Sequence, residues 1–241
     1  MYKRVCCLYS TPFVARIITF RHPFTCIVSG PTGSGKSTFC IRLLKNLNTL
    51  CTEKNFAGGI VWCYSERTAV PTKQLAELRN KKIIYHEGVP DDNFFKANTC
   101  REPCLVILDD LLQTAYSEGV SVLFTRGSHH RNISVILITQ NLFHQARHAR
   151  DISLNAKYII LLKNVRDKAQ FTHLARQVLP EDSQGLFEAY LDATRRPHGY
   201  LLLDLAQDTD DRLRFRTNIF PSEHPPVVYA RIGVETNKVK L

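Results

Sequence analysis

The sequence predicts an α/β fold in which a mostly parallel β-sheet is flanked by helices. Three observations support this. Short, nearly continuous apolar runs alternate with longer amphipathic segments. The first clear run leads into a glycine-rich turn and then a helical pattern. Finally, 44% of the 241 residues are apolar, which is enough to bury a large core. Such runs are typical of strands buried on both faces of a parallel sheet.

The predicted elements follow this alternation along the chain. Parallel strands are predicted at 24–29, 60–64, 82–86, 105–108, 133–139 and 158–162. Helices are predicted at 37–47, 119–128, 167–178 and 182–194. Late runs at 200–205 and 213–220 predict strands that pair antiparallel at the sheet edge. We expect one folded domain over 21–221, a C-terminal tail over 222–241, and an N-terminal extension over 1–20 that is either an extra strand or a flexible arm.

Charge and cysteine usage narrow the class of protein. Lys and Arg number 32 against 22 Asp and Glu, and the net charge of +10 attracts polyanions such as nucleic acid. A generic basic surface is the alternative interpretation. The eight cysteines form no CxxC pair, which favours reduced thiols inside a cell. No apolar run approaches the roughly 20 residues that cross a bilayer, so we expect no membrane association.

A phosphate-binding motif follows the first predicted strand. It is Gly30-Pro31-Thr32-Gly33-Ser34-Gly35-Lys36-Ser37, which fits the pattern GxxxxGK[ST]. Its glycines let backbone N–H groups turn toward an anion, and the helix that follows directs its positive end at the same place. We expect Lys36 to reach the β- and γ-phosphates, and Ser37 to ligate magnesium. Residues 30 to 38, including Thr38, are therefore predicted to bind ATP and Mg²⁺ in a P-loop NTPase domain of the RecA/ASCE type; a plain glycine-rich turn is the alternative.

Two consecutive carboxylates follow the strand predicted at 105–108. A P-loop needs a carboxylate at the end of another buried strand, which holds magnesium from the side opposite the phosphates. Asp109 is predicted to fill that role, and Asp110 is predicted to polarise the attacking water. A helix N-cap or a strand-end turn would also place aspartates here.

The remaining catalytic candidates lie around the next predicted strand. That strand ends in Gln140, whose amide could sense the γ-phosphate or the water, although it could equally cap the strand end. Hydrolysis also needs a cation at the transferring phosphoryl group, often supplied by a neighbouring subunit. Arg131 is the first candidate and Arg126 the second, with Arg147 and Arg150 as further choices. Each could instead be a solvated or DNA-facing arginine.

Several segments together resemble a known family. GPTGSGKST at 30–38, VILDDL at 106–111 and FTRGSHHRNISVILITQNLF at 124–143 resemble the genome-packaging ATPases of the FtsK–HerA superfamily. ISLNAKYIILLKN at 152–164, PHGYLLLD at 197–204 and RFRTNIFP at 214–221 are similar to the packaging ATPases of Polinton (Maverick) elements and adintoviruses, near the poxvirus-like branch. Many superfamily members carry Asp-Glu where this chain has Asp109-Asp110, whereas the poxvirus-like branch tends to carry Asp-Asp.

The resemblance implies an ATP-hydrolysing motor that moves double-stranded DNA into a preformed capsid. It implies a homo-oligomeric ring with active sites between subunits, and capsid or portal-region proteins as partners. Such a motor would work inside the cell, in the host nucleus or at the viral assembly site, with the virion as a further location. A motor that accepts any sequence would hold DNA by its phosphates, for which residues 144–150 and Arg195-Arg196 are candidates.

Three other functions share these motifs. They are a helicase or other DNA translocase, a small-molecule kinase, and a nucleotide-dependent DNA-binding scaffold. The kinase would transfer phosphate to an added acceptor and ignore DNA, whereas the scaffold would keep its function without the carboxylate of Asp110.

Overall fold

A computed structural model describes residues 2–6, 19–66, 70–78, 80–98, 102–109, 111, 115–127, 131–143, 146–223 and 225–231. Within these ranges the chain forms a ten-stranded sheet. The strands are β1 (Tyr2–Cys6), β2 (Thr25–Ser29), β3 (Gly59–Tyr64), β4 (Ile83–Glu87), β5 (Cys104–Leu108), β6 (Ile133–Thr139), β7 (Tyr158–Leu162), β8 (Tyr200–Asp204), β9 (Phe215–Thr217) and β10 (Val227–Arg231).

Helices connect these strands. They are α1 (Lys36–Lys45), α2 (Leu47–Leu50), α3 (Thr72–Ala76), α4 (Asp92–Asn98), α5 (Glu118–Val122), α6 (Ala149–Leu154), α7 (Ala169–Val178) and α8 (Ser183–Ala193). A π-helical segment, Leu123–Gly127, continues α5. In the part of the chain described, no helix is both long enough and apolar enough to span a membrane.

The sheet has a parallel half and an antiparallel half. Its strand order is β1-β10-β9-β8-β7-β2-β6-β5-β3-β4. The strands from β7 to β4 in this order are parallel, whereas β8, β9, β10 and β1 pair antiparallel. Notably, β6 lies between β2, which leads into the phosphate motif, and β5, which carries the acidic pair. The α/β fold class with antiparallel strands near the C-terminus is therefore confirmed.

Most predicted elements are present within one or two residues of their expected bounds. The six predicted parallel strands are β2 to β7, and the two late strands are β8 and a shorter β9. They are recognisable because their side chains pack on both faces: in β2, Val28 lies in one apolar cluster and its neighbour Ile27 in the other. The first cluster packs against α1, and the second against α7 and α8.

Some predicted bounds were wrong. The helix predicted at 37–47 breaks at Asn46, whose side-chain amide donates to the carbonyl oxygen of Arg42 at 2.8 Å and so competes with the helical pattern. The helix predicted at 119–128 is α-helical only to Val122. No helix was predicted at α3, α4 or α6, because five to seven residues are too few to show a helical period.

Two strands lie outside the range predicted for the domain. β1 comes from the predicted extension and β10 from the predicted tail, and they pair antiparallel from Tyr2 opposite Arg231 to Cys6 opposite Val227. β10 also pairs with β9. The N-terminal residues 2–6 thus form the extra strand that was one of the two expectations, and the sheet extends beyond the bounds of 21 and 221.

Candidate nucleotide site

The candidate site lies at the carboxyl edge of the parallel half of the sheet. Ser29, the last residue of β2, is in register with Thr139, the last residue of β6. The Gly30 amide donates to the Thr139 carbonyl oxygen at 3.3 Å, so the phosphate motif begins directly beside the end of β6, which Gln140 follows. Asp109 follows β5, the next strand along. Ligands of open α/β sheets bind at this edge, and the structure brings these three features together there.

The loop of the phosphate motif has the backbone that an anion site needs. Gly33 and Gly35 have φ angles of 77° and 101°, which residues with a side chain rarely adopt. At Gly30 a Cβ would lie 2.7 Å from the Ser34 hydroxyl oxygen and 3.0 Å from the Leu162 Cβ, so a side chain would crowd both residues. α1 then begins at Lys36 with no acidic residue in its first turn, which leaves its positive end open to an anion.

Lys36 lies across this loop. Its ammonium group donates to the carbonyl oxygens of Gly30 at 2.8 Å and Pro31 at 3.0 Å. The charge of Lys36 is therefore held at the mouth of the loop, where the β- and γ-phosphates of a nucleotide would bind.

Ser37 and Asp109 meet across the sheet, although they are 72 residues apart in sequence. The Ser37 hydroxyl donates to a carboxylate oxygen of Asp109 at 3.3 Å. Asp109 is 6% exposed, and its amide donates to the Cys63 carbonyl oxygen at 2.9 Å, which fixes the strand end. Burial, and then the nearby charge of Asp109, raises the pKa of the Cys40 thiol well above its usual value. A hydroxyl and a carboxylate side by side are oxygen ligands that suit Mg²⁺.

The residues present fit a magnesium nucleotide. The Ser34 hydroxyl is buried inside the loop and has no hydrogen-bond partner in the described part of the chain, so it has capacity for a ligand. Gly33 faces open space, since a Cβ there would meet no described residue within 4 Å. Among the described residues, no group of three or more His, Cys, Asp or Glu could hold a metal by itself. Magnesium in such sites is held by few protein groups, together with phosphate oxygens and water. When bound, it would neutralise charge on the phosphates.

A hydrogen-bonded network surrounds the end of β6. Gln140 itself is exposed. The Tyr116 hydroxyl bonds the Thr139 hydroxyl at 2.9 Å and donates to the carbonyl oxygen of Asn141 at 2.5 Å. Thr139 and Asn141 are the residues before and after Gln140. Burial raises the pKa of Tyr116, so this phenol stays protonated. Tyr116 was not among the predicted site residues, because nothing in its spacing links it to a strand end 23 residues later.

His198 is a second residue at the site that was not predicted from the sequence. It lies between α8 and β8, and its Nδ1 is 3.0 Å from the carbonyl oxygen of Ser34. The ring also packs against Gly35, where an added Cβ would be 3.1 Å from Nδ1. The turn-rich sequence RRPHG predicts a loop here, but no sequence signal places it beside the phosphate motif.

The first arginine candidate, Arg131, lies away from the phosphate motif. Arg131 precedes β6, at the amino edge of the sheet, and its guanidinium bonds the carboxylate of Asp92 at 2.7 Å. Arg147 and Arg150 are exposed near the start of α6. Asp110 and the side chain of Arg126 lie outside the described residues.

Comparisons with known proteins add little to this geometry. No protein-family model matches the chain, and no curated protein matches it. Among solved structures, the chain is similar to a KaiC-like protein from the hyperthermophilic archaeon Pyrococcus horikoshii, with 15% identity and a TM-score of 0.45 over 86% of this chain and 90% of that one.

Proposed function

We propose that this protein is a magnesium-dependent ATPase. The observation that carries the proposal is the Ser37 hydroxyl 3.3 Å from the Asp109 carboxylate, next to a glycine loop crossed by Lys36. A hydroxyl at the start of a helix and a carboxylate two strands away have no packing reason to meet. They would meet if both serve one metal ion bound to a nucleotide.

Each residue then has a defined task. The amides of the loop and the Lys36 ammonium would hold the phosphates, while Ser37 and Asp109 would hold magnesium. Asp110 would accept a proton from the attacking water, and Gln140 would orient that water or the γ-phosphate. An arginine from a neighbouring subunit, Arg131 or Arg126, would stabilise the transferring phosphoryl group.

We further propose that hydrolysis drives double-stranded DNA through a homo-oligomeric ring, into a capsid. Support comes from the resemblance of three separate motifs to FtsK–HerA packaging ATPases and from the net charge of +10. The position of Arg131 away from the phosphate motif of its own chain is compatible with action on a neighbouring subunit.

The test is phosphate release from ATP with and without mixed-sequence duplex DNA. Wild type is compared with Lys36→Ala, Asp110→Asn and the control Lys45→Ala, which removes a charge from the same helix about 13 Å further along. We expect Lys36→Ala to lose nucleotide binding and turnover, Asp110→Asn to bind ATP without hydrolysing it, and Lys45→Ala to behave as wild type. Duplex DNA should raise wild-type turnover.

The other outcomes separate the alternatives. Phosphate transfer to a small acceptor, with turnover indifferent to DNA, would indicate a kinase. ATP-dependent DNA binding that survives Asp110→Asn would indicate a scaffold. Unchanged turnover in Lys36→Ala would contradict the ATPase itself, and light scattering with a non-hydrolysable ATP analogue would show whether a ring forms.

A further inference from the structure

His198 holds an unfavourable backbone conformation beside the phosphate motif. Its φ is 58°, in the left-handed region that is unfavourable for a residue with a side chain. Such residues persist where surrounding contacts maintain them, and they cluster at functional sites. Here the contact is the one between Nδ1 and the Ser34 carbonyl oxygen.

The direction of this hydrogen bond is fixed by chemistry. A carbonyl oxygen only accepts, so Nδ1 must carry the hydrogen and donate it to Ser34. In a trans, planar peptide the C=O and the following N–H point in opposite directions. His198 therefore holds the Ser34–Gly35 peptide with the Gly35 amide pointing away from the imidazole. Gly35 has a φ of 101° and no side chain to resist rotation, so this peptide plane needs an external restraint.

The segment that carries His198 is itself anchored to the sheet. The Lys163 ammonium donates to the Arg195 carbonyl oxygen at 3.1 Å, and the Lys163 amide donates to the Gly199 carbonyl oxygen at 3.1 Å. Lys163 directly follows β7, the neighbour of β2. His198 thus acts from a turn fixed at both ends, on the side of the phosphate loop opposite Asp109.

We infer that His198 is a positioning residue of the nucleotide site, which aims the Gly35 amide at the phosphates by donating to the Ser34 carbonyl. This inference rests on the proposed nucleotide site. His198 touches the loop from outside, so its effect on phosphate affinity passes through the Ser34–Gly35 peptide.

Two variants isolate the donor from the backbone. Gly at position 198 accepts a positive φ without strain but removes the donor. Asn also tolerates the left-handed region, and its side-chain NH₂ is as many bonds from the backbone as Nδ1. Comparing His198→Gly with His198→Asn therefore tests the hydrogen bond alone.

The measurements are the dissociation constants of Mg–ATP and Mg–ADP, the KM and kcat for ATP, and the Tm without nucleotide. We expect His198→Gly to weaken binding of both nucleotides about 3- to 10-fold, the range of one net hydrogen bond. His198→Asn should stay within about 2-fold of wild type, a fraction of one such bond. The two variants should have similar Tm values without nucleotide. A merely structural role of His198 would instead make their Tm values differ while their nucleotide affinities stayed alike.

The result that overturns the inference is wild-type affinity in His198→Gly, or equal weakening in both variants. Lys36→Ala is measured in parallel. If Lys36→Ala loses binding while His198→Gly does not, only the role of His198 is wrong. If Lys36→Ala itself binds as wild type, the proposed nucleotide site fails.

Discussion

The parallel and antiparallel halves of the sheet place their polar residues differently. In the parallel half, strands β2, β5 and β7 are buried throughout, and the charged and amide side chains come just after the strands end, as at Asp109 and Gln140. In the antiparallel half, a charged pair is buried inside the sheet: Asp204 of β8 and Arg216 of β9 are 4% and 3% exposed and form an ion pair.

This difference separates the residues that we expect to serve function from those that we expect to serve stability. A charge that follows a strand end lies at the edge of the sheet, where a ligand can add to its contacts. A charge inside the sheet must be satisfied by the protein. Asp204 accordingly also accepts from the Thr209 hydroxyl at 2.9 Å, and burial lowers the pKa of Arg216 while the charge of Asp204 opposes this. We therefore expect changes in the antiparallel half to alter stability, and changes at the strand ends to alter activity.

Asp204→Ala should have the largest effect on stability. It leaves the Arg216 guanidinium buried without its carboxylate, which costs about 3–5 kcal/mol of unfolding free energy. Urea denaturation measures the loss. The control is Asp208→Ala, which removes an exposed pair with Arg21 and should cost below about 1 kcal/mol. Equal losses in the two variants would contradict the distinction between buried and exposed pairs.

Asp109→Asn should have the largest effect on activity. It removes the carboxylate that would hold magnesium, and we expect kcat for ATP to fall at least about 100-fold, since the metal contributes several kcal/mol to the transition state. Unfolding free energy should change by less than about 1 kcal/mol, because the substitution keeps shape and removes a buried charge. Steady-state kinetics over a range of Mg²⁺ concentrations test the expected loss of kcat. Urea denaturation tests the expected unfolding free energy. If Asp109→Asn lowers stability without lowering turnover, the expectation that residues at the strand ends serve activity is contradicted.

Tyr116→Phe should have an intermediate effect on activity. It deletes the hydroxyl that bonds Thr139 and Asn141 on either side of Gln140. The Thr139 hydroxyl keeps its bond to the Asn141 carbonyl oxygen at 3.1 Å, so we expect the loss to cost about 1 kcal/mol. We expect kcat to fall with little change in KM, because Gln140 would be less well placed while the phosphate loop is untouched. The control is Tyr85→Phe on β4, because Tyr85 is 39% exposed. If KM rises and kcat does not change, this network serves binding instead.

The smallest of these effects should be the contribution of His22 to the pH dependence of folding stability. Its ring bonds the Ser134 hydroxyl at 2.6 Å and the Asn132 side-chain oxygen at 2.8 Å, and burial lowers its pKa below the usual 6.5. Because the folded state disfavours the protonated ring, the contribution of His22 is fully present above pH 6.5 and is lost as pH falls toward the lowered value.

Urea midpoints at pH 7.5 and 5.5 should therefore differ less in His22→Gln than in wild type. His173, which is exposed on α7, supplies the control His173→Gln, which should keep the wild-type difference. A pH difference that is unchanged in His22→Gln would contradict the role given to this ring.

The sequence was sufficient for the parts of the molecule that local patterns encode. β2, the glycine loop and α1 are contiguous, so the motif and its flanking elements were predictable together. The position of Asp109 at the end of β5 was predictable, because the apolar run before it indicates a buried strand. His198 and Tyr116 were not, because each reaches the site through a turn whose path depends on packing between distant elements. β10 was not predicted for the same reason, since it pairs with β1 and β9 from distant parts of the chain, and β1 was left open as either a strand or a flexible arm.

The central claim is that residues 30–38 and Asp109 form one site for a magnesium nucleotide. Its most direct test is a crystal structure with Mg²⁺ and a non-hydrolysable ATP analogue. We expect the phosphates to lie on the amides of the glycine loop, with the metal held between Ser37 and Asp109. A nucleotide bound elsewhere, or a metal with no contact to either residue, would contradict the account.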